Sequence, residues 1–207
     1  MSRFTNYHLT ISLSQYELAR AAGKYERSGM PAGLNMVKIE KPSYERFAAL
    51  LEKVGGPWGW TRRPRYANRR EEIERLLVQP DTALYVFRHG ESEIGYAMVN
   101  SGKAAFSGIF PGSVEQEKKL QSIIEIENFG LFPAHTGKQY GRYFLAALLD
   151  ALFKDYGSVY LSSRSTNHKR VIPFYESMGM KVLSTEMLPD DLLPAINPLP
   201  LSRRQPG

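Results

Sequence analysis

The stretch Ile123-Ile-Glu-Ile-Glu-Asn-Phe-Gly-Leu-Phe-Pro-Ala-His-Thr-Gly-Lys-Gln-Tyr-Gly-Arg-Tyr-Phe-Leu-Ala-Ala-Leu-Leu-Asp-Ala-Leu-Phe153 changes its hydrophobic period once along its length. Over Ile123 to Phe129, Ile124 and Ile126 alternate with Glu125 and Glu127, the period of a half-buried β-strand. Gly130-Leu-Phe-Pro ends the strand, Ala134 to Gln139 is polar, and a helical pattern runs from Tyr140 to Asp155. Phe144, Leu145, Ala147, Leu148, Leu149, Leu152 and Phe153 leave that helix apolar on nearly every side, so it belongs against a sheet. A strand, a short polar loop and a buried helix in this order gather unbonded backbone N–H groups at the positive end of a helix dipole. Phosphate is the natural ligand there. In His135-Thr-Gly-Lys-Gln-Tyr-Gly-Arg, Gly137 and Gly141 let the backbone approach an anion closely, while Lys138 and Arg142 add charge. The same residues also read as an ordinary helix start with solvated cations.

Upstream, Tyr7-His-Leu-Thr-Ile-Ser-Leu and Leu34-Asn-Met-Val-Lys-Ile read as short strands. Ser43 can cap a helix that turns Phe47, Leu50, Leu51 and Val54 to one side and stops at Gly55-Gly56-Pro57. A basic aromatic segment, Trp58-Gly-Trp-Thr-Arg-Arg-Pro-Arg-Tyr66, leads to a second helix from Arg70 to Val78. Ala83 to Arg88 and Ile94 to Asn100 flank a His89-Gly-Glu-Ser turn as a hairpin. Downstream, Val159-Tyr-Leu-Ser-Ser reads as a strand, and a short helix from Ile172 to Met178 carries Pro173 in its first turn, where a missing N–H costs nothing. Gly179 closes that helix and Lys181 to Met187 makes a last strand. Strands outnumber helices and the two are interspersed, which predicts a mixed α/β (α+β) fold. Residues 1–33 read as an N-terminal strand and extension, and 34–188 as the main domain with 101–121 as an insertion loop. Residues 189–207, with five prolines, read as a surface arm.

With 207 residues, 43% of them hydrophobic and 23% charged, the chain can bury a real core, and one domain is expected. It has no cysteine, which excludes disulfides, thiolate metal sites and cysteine nucleophiles. No two of His8, His89, His135 and His168 have the spacing that lets one helix present both to a metal, so no metal is expected. The first residues are too polar for a signal peptide and no apolar run is long enough to span a bilayer, so a cytoplasmic protein without a membrane partner is expected. The net charge of +6 suits an anionic partner without choosing among nucleic acid, a phosphorylated cofactor and an acidic surface.

Gly130-Leu-Phe-Pro, then Gly137-Lys-Gln-Tyr-Gly-Arg-Tyr-Phe-Leu, then Pro173-Phe-Tyr-Glu-Ser-Met-Gly-Met together resemble the GNAT superfamily of N-acetyltransferases. The resemblance implies a mostly antiparallel central sheet flanked by helices, with one parallel strand pair splayed apart at the cofactor site. It also implies acetyl-CoA as acyl donor. The family's phosphate motif, Gln/Arg-x-x-Gly-x-Gly/Ala, falls with Thr136 at its first position, Gln139 at the first glycine and Gly141 at the second, so only the last is kept. On this resemblance Thr136, Gly137, Lys138, Gln139, Tyr140, Gly141 and Arg142 surround the pyrophosphate. Phe129, Gly130 and Leu131, at the bulge that separates the two strands, offer backbone groups to the pantetheine arm. The family pattern also places a polar residue seven positions before Tyr175, which is His168 with Asn167 beside it, against the cofactor.

Direct acetyl transfer needs a neutral amine, a polarised thioester and a proton for the departing thiolate. Glu125 stands where the histone-acetylating branch of the family has its catalytic glutamate. Glu127, two residues on, shares its face in a regular strand, so the assignment between them stays open and Glu127 can instead orient the substrate. Tyr175 matches the tyrosine that in many relatives protonates the sulfur. Trp58, Trp60 and Tyr66 follow the first helix of the matched region, where the family's acceptor groove lies, and aromatic walls there suit a small-molecule or peptide amine. The Pro57-Trp-Gly-Trp, Phe129-Gly-Leu and Asn167-His168 stretches resemble a bacterial branch of the superfamily. Two other readings compete: an acyl-CoA-binding protein without turnover, and a nucleic-acid binder built on the aromatic and arginine-rich segment, the weaker of the two. Family members are often dimers, so the resemblance also implies a homodimer.

Overall fold

A computed structural model describes residues 3–25, 30–62, 66, 68–100 and 123–189. The 101–121 insertion, the arm beyond 189, and Arg63 and Arg65 of the basic segment lie outside the described residues. In chain order the elements are β1 (Arg3–Ser12), α1 (Leu13–Ala21), β2 (Leu34–Ile39), α2 (Tyr44–Gly55), α3 (Arg70–Leu77), β3 (Ala83–His89), β4 (Ser92–Asn100), β5 (Ile123–Leu131), α4 (Tyr140–Leu152), β6 (Ser158–Arg164), α5 (Val171–Ser177) and β7 (Lys181–Pro189). The strands form one sheet in the order β2-β3-β4-β5-β6-β1-β7. Every neighbouring pair is antiparallel except β5 and β6.

The alternation of β3 and β4 sends side chains into a core on each face of the sheet. Leu84, Val86, Tyr96 and Met98 meet Phe47, Leu50, Leu51 and Val54 of α2 and Ile73 and Leu77 of α3. Tyr85, Phe87 and Ala97 on the opposite face meet Phe144, Leu145, Leu148 and Leu149 of α4, with Phe87 stacked on Phe144 at 4.4 Å between ring centres. Helix α4 is therefore covered as its all-round apolar sequence predicts. Ser43 caps α2 by accepting from the Arg46 N–H.

The structure adds a helix and relocates a strand. Leu13–Ala21 is helical where the sequence reading ends a strand at Leu13. A capping box explains the switch, with Ser12 Oγ accepting from the Gln15 N–H and Gln15 Oε1 from the Ser12 N–H. Strand β1, read from the sequence as part of an N-terminal extension, lies inside the sheet between β6 and β7 and pairs with both.

Candidate active site

Strands β5 and β6 pair only through Ile123–Ser158, Ile124–Val159 and Glu125–Tyr160. Beyond Glu125 they diverge, while β5 stays paired to β4 as far as Leu131. The sheet thus opens into a wedge whose one edge is β5. Phe132 N–H bonds the Ile94 carbonyl, so alternation commits Gly130 to Tyr96 of β4 and turns the N–H and C=O groups of Phe129 and Leu131 into the wedge.

The bulge expected near Gly130 sits elsewhere. Met98 pairs with Asn128 and Val99 with Ile126, leaving Glu127 as the extra residue. Gly130 has a different duty: a Cβ there would lie 2.4 Å from Val54 Cγ1, so its missing side chain is what lets α2 sit down on β5. Glu125 and Glu127 share a face, as regular alternation predicts, and the bulge brings Asn128 to that same side. Glu127 accepts from the Tyr66 hydroxyl at 3.3 Å and from the Asn100 amide, and Asn128 Nδ2 donates to the Tyr66 hydroxyl at 2.9 Å. The Asn128 Oδ1 and the Tyr96 hydroxyl of this group are buried with no hydrogen-bond partner among the described residues. Glu125 stands one pairing step away, 2% exposed, at the apex of the wedge.

The loop after β5 arrives at α4 with that helix's first turn uncapped by any side chain. Thr136 closes the preceding turn by donating its hydroxyl to the Pro133 carbonyl at 2.9 Å, and Gly137 follows at φ +77°. Gln139, standing where the family motif has glycine, adopts φ 62° and ψ 0°, the left-handed conformation a glycine takes freely. The departure in sequence therefore leaves the backbone path intact. At Gly141 a Cβ would meet the Phe174 ring at 3.6 Å, an ordinary contact, which suits the Gly/Ala tolerance of that position. Lys138 is exposed beside the loop, and Tyr140 sets its ring 5.6 Å from that of His89. The Arg142 guanidinium turns away from the loop and donates to the Lys24 carbonyl at 2.9 Å, clamping the segment after α1.

The two tryptophans meet the other strand's exit. Trp60 Nε1 donates to Asn167 Oδ1 at 3.1 Å, Asn167 Nδ2 donates to Ser163 Oγ at 3.1 Å, and Trp58 packs edge-on against His168 at 5.9 Å. The segment after α2 thereby reaches across the wedge to the β6–α5 loop, joining residues read separately as acceptor wall and cofactor contact. Gly55 makes room for it, since a Cβ there would lie 2.4 Å from the Trp60 ring. Tyr175, on α5, is buried against Phe129 and Phe174. Burial pushes its hydroxyl well above the ordinary phenol value, and that hydroxyl makes no hydrogen bond among the described residues. No three His, Asp or Glu side chains converge on a metal-sized site among the described residues, and no helix there is long and apolar enough to cross a membrane.

Sequence reasoning had no purchase on Asn100, Asn128, His8 and Tyr160, which the sheet brings to the face that carries Glu125. Only the burial of polar residues within strands could have marked them, and burial is a tertiary property.

A family model described as "Acetyltransferase (GNAT) family" matches residues 37–180. No curated protein sequence matches the chain. Among solved structures, a tandem GNAT protein from the clavulanic acid biosynthesis pathway superposes with a TM-score of 0.56 at 16% identity, covering 88% of this chain and 51% of its own. A functionally unknown conserved protein from Staphylococcus epidermidis gives 0.53 at 9% identity, with 90% and 60% covered, so the chain spans less than two thirds of either protein. An aminoglycoside acetyltransferase from an uncultured soil metagenomic sample, in complex with trehalose, gives 0.52 at 13% identity, with 70% and 87% covered. At these identities the superpositions establish the shared fold.

Proposed function

We propose that this chain, which belongs to the Acetyltransferase (GNAT) family, transfers the acetyl group of acetyl-CoA directly to a primary amine of a small molecule or peptide. The observation that carries the reading is the β5/β6 wedge, where among the described residues one edge has no strand partner and the N-terminus of α4 no side-chain cap. An extended amide-bearing arm can add to the free edge as a strand would, and a pyrophosphate can take the N–H groups at the start of α4. These features fit the cofactor.

When bound, acetyl-CoA supplies a thioester with an electrophilic acyl carbon and a sulfur leaving group. Phe129 and Leu131 would align its arm through their wedge-facing backbone groups, and the backbone from Gly137 to Gly141 would anchor the phosphates, since Thr136 and Arg142 are spent on the Pro133, Gln139 and Lys24 carbonyls. Glu125, at the apex, takes the proton from the incoming ammonium, since an amine of pKa about 10 is almost wholly protonated at neutral pH. Glu127 is held by Tyr66 and Asn100 and serves to orient the acceptor. Tyr175 would give its proton to the sulfur as the C–S bond breaks and regain one from the nitrogen that the acyl group has joined, so both products leave neutral. Its raised pKa keeps the phenol protonated at neutral pH and able to donate. Trp58, Trp60 and Tyr66 bound the acceptor side, while Asn167 and His168 tie that side to the cofactor side.

Calorimetric titration with acetyl-CoA and CoA, followed by thiol release across an amine panel, tests this. Micromolar binding with turnover is expected, and Glu125→Gln should lower kcat by about 100-fold or more with cofactor Kd unchanged. Tyr175→Phe should cut kcat by at least about tenfold while leaving stability within about 0.5 kcal/mol, because no hydrogen bond is lost. Cofactor binding without turnover of any amine would instead establish an acyl-CoA-binding protein.

A further inference from the structure

On the same side of the sheet as Glu125 lies a polar pair that the scheme above leaves idle. His8 of β1 and Tyr160 of β6 are 8% and 4% exposed, and His8 Nδ1 lies 2.6 Å from the Tyr160 hydroxyl oxygen. The rings are nearly parallel, 18° apart, at 6.0 Å between centres. The other ring nitrogen, Nε2, lies 3.3 Å from Asn6 Nδ2. With the Asn6 amide oriented so that its nitrogen faces the ring, Nε2 accepts, and this orientation assigns the ring proton to Nδ1. Burial holds the imidazole below its ordinary 6.5, against the pull of Glu186 at 3.9 Å, so at neutral pH the ring carries that single proton.

Direction follows from this inventory. His8 Nδ1–H donates to the Tyr160 oxygen, which leaves the phenol's own proton for a different acceptor. Among the described residues, strand alternation turns these titratable or charged groups toward the pair: Glu125 and Glu127 from β5, Arg164 from β6, and Lys181 and Glu186 from β7. Arg164 and Lys181 cannot accept, and Glu186 lies beyond His8. Glu125 pairs with Tyr160 in the parallel register, and paired residues present their side chains on one face.

We propose that Tyr160 and His8 are positioning residues for Glu125: the Tyr160 hydroxyl, oriented by His8 Nδ1–H, donates to the Glu125 carboxylate and holds it as an anionic acceptor at the apex of the wedge. The inference rests on Glu125 being the base. Neither Tyr160 nor His8 touches the substrate, and both act through the carboxylate. Strand β1 lies wholly outside the residues matched by the family model, 37–180, so the His8 part of this support belongs to the N-terminal part of this chain.

The test is a carbon-13 NMR titration of glutamate side chains in the full chain, with Glu125→Gln identifying the resonance. Tyr160→Phe removes a donor from the charged form, so the Glu125 midpoint should rise by about one pH unit. His8→Leu should raise it by less, and the double variant should match Tyr160→Phe alone, since His8 works through Tyr160. The acid limb of kcat/KM should move in step while cofactor affinity stays unchanged. An unmoved Glu125 titration in folded Tyr160→Phe, or additive shifts in the double variant, would overturn the proposal. Should both variants fail to fold, nitrogen-15 shifts of wild-type His8 decide: an Nδ1–H ring supports the chain of bonds and an Nε2–H ring sinks it. A wild type inert toward amines whose Glu125 midpoint still moves in Tyr160→Phe supports the hydrogen-bond chain and refutes only the transferase reading.

Discussion

Gln139 does a glycine's work with a side chain attached. Its φ of 62° places a non-glycine residue in the left-handed region, at a cost of roughly 1–2 kcal/mol, just where the chain must turn its N–H groups outward before α4. Gln139→Gly removes that cost and adds back about 0.5–1 kcal/mol of unfolded-state entropy. Urea unfolding should therefore show a gain of about 0.5–1 kcal/mol, with cofactor Kd unchanged or tighter. A loss of stability would mean that the Gln139 side chain supports the loop. At the same scale, Glu125 and Glu127 are legible in the sequence as two acids two residues apart, but their different surroundings are not. The bulge at Glu127 is set by how β4 pairs with β5, and no property of the pentapeptide around Glu127 encodes the register of a partner strand.

Elements meet at glycines. Gly130 reads from the sequence as the end of a strand at a cofactor site, yet the strand runs on to Leu131 and the glycine admits Val54 of α2. Gly130→Ala would force a methyl to within 2.4 Å of Val54 Cγ1, and overpacking of this kind costs about 1–3 kcal/mol. Adding Val54→Ala should recover part of that loss, so a double-mutant cycle read by thermal or urea unfolding should give a favourable coupling of about 1 kcal/mol. Additive losses would show that α2 does not bear on β5 through this pair. The helices α2, α3 and α4 were readable because each carries an apolar stripe or surround at helical spacing. Helix α1 was not, since its signal is the Ser12–Gln15 capping box and its stripe is weak, with Tyr16 and Ala19 its buried residues.

Across the whole molecule, β1 joins β7 to the rest of the sheet, and its burial of His8 makes stability depend on pH. The folded His8 pKa lies below the unfolded value of 6.5, so the unfolded chain binds the extra proton first. Stability from this residue is complete above pH 6.5, falls as the pH drops through that value, and levels off below the folded pKa. Thermal unfolding of the wild type should show a drop in Tm on going from pH 7 to pH 5.5 that His8→Gln diminishes. An equal drop in both would assign the acid sensitivity to other groups.

The sequence alone determined the strand, loop and buried helix of residues 123–152, the hairpin, and the family, because these rest on period, turn residues and motif order within short spans. Only the tertiary structure decided where the sheet opens, which residue bulges, that Trp60 latches to Asn167, and that the N-terminal strand brings His8 to the face that holds Glu125. Each of these joins residues far apart in the chain. Their free energy comes from pairing and burial that exist only once the strands are side by side, so no local stretch of sequence carries them.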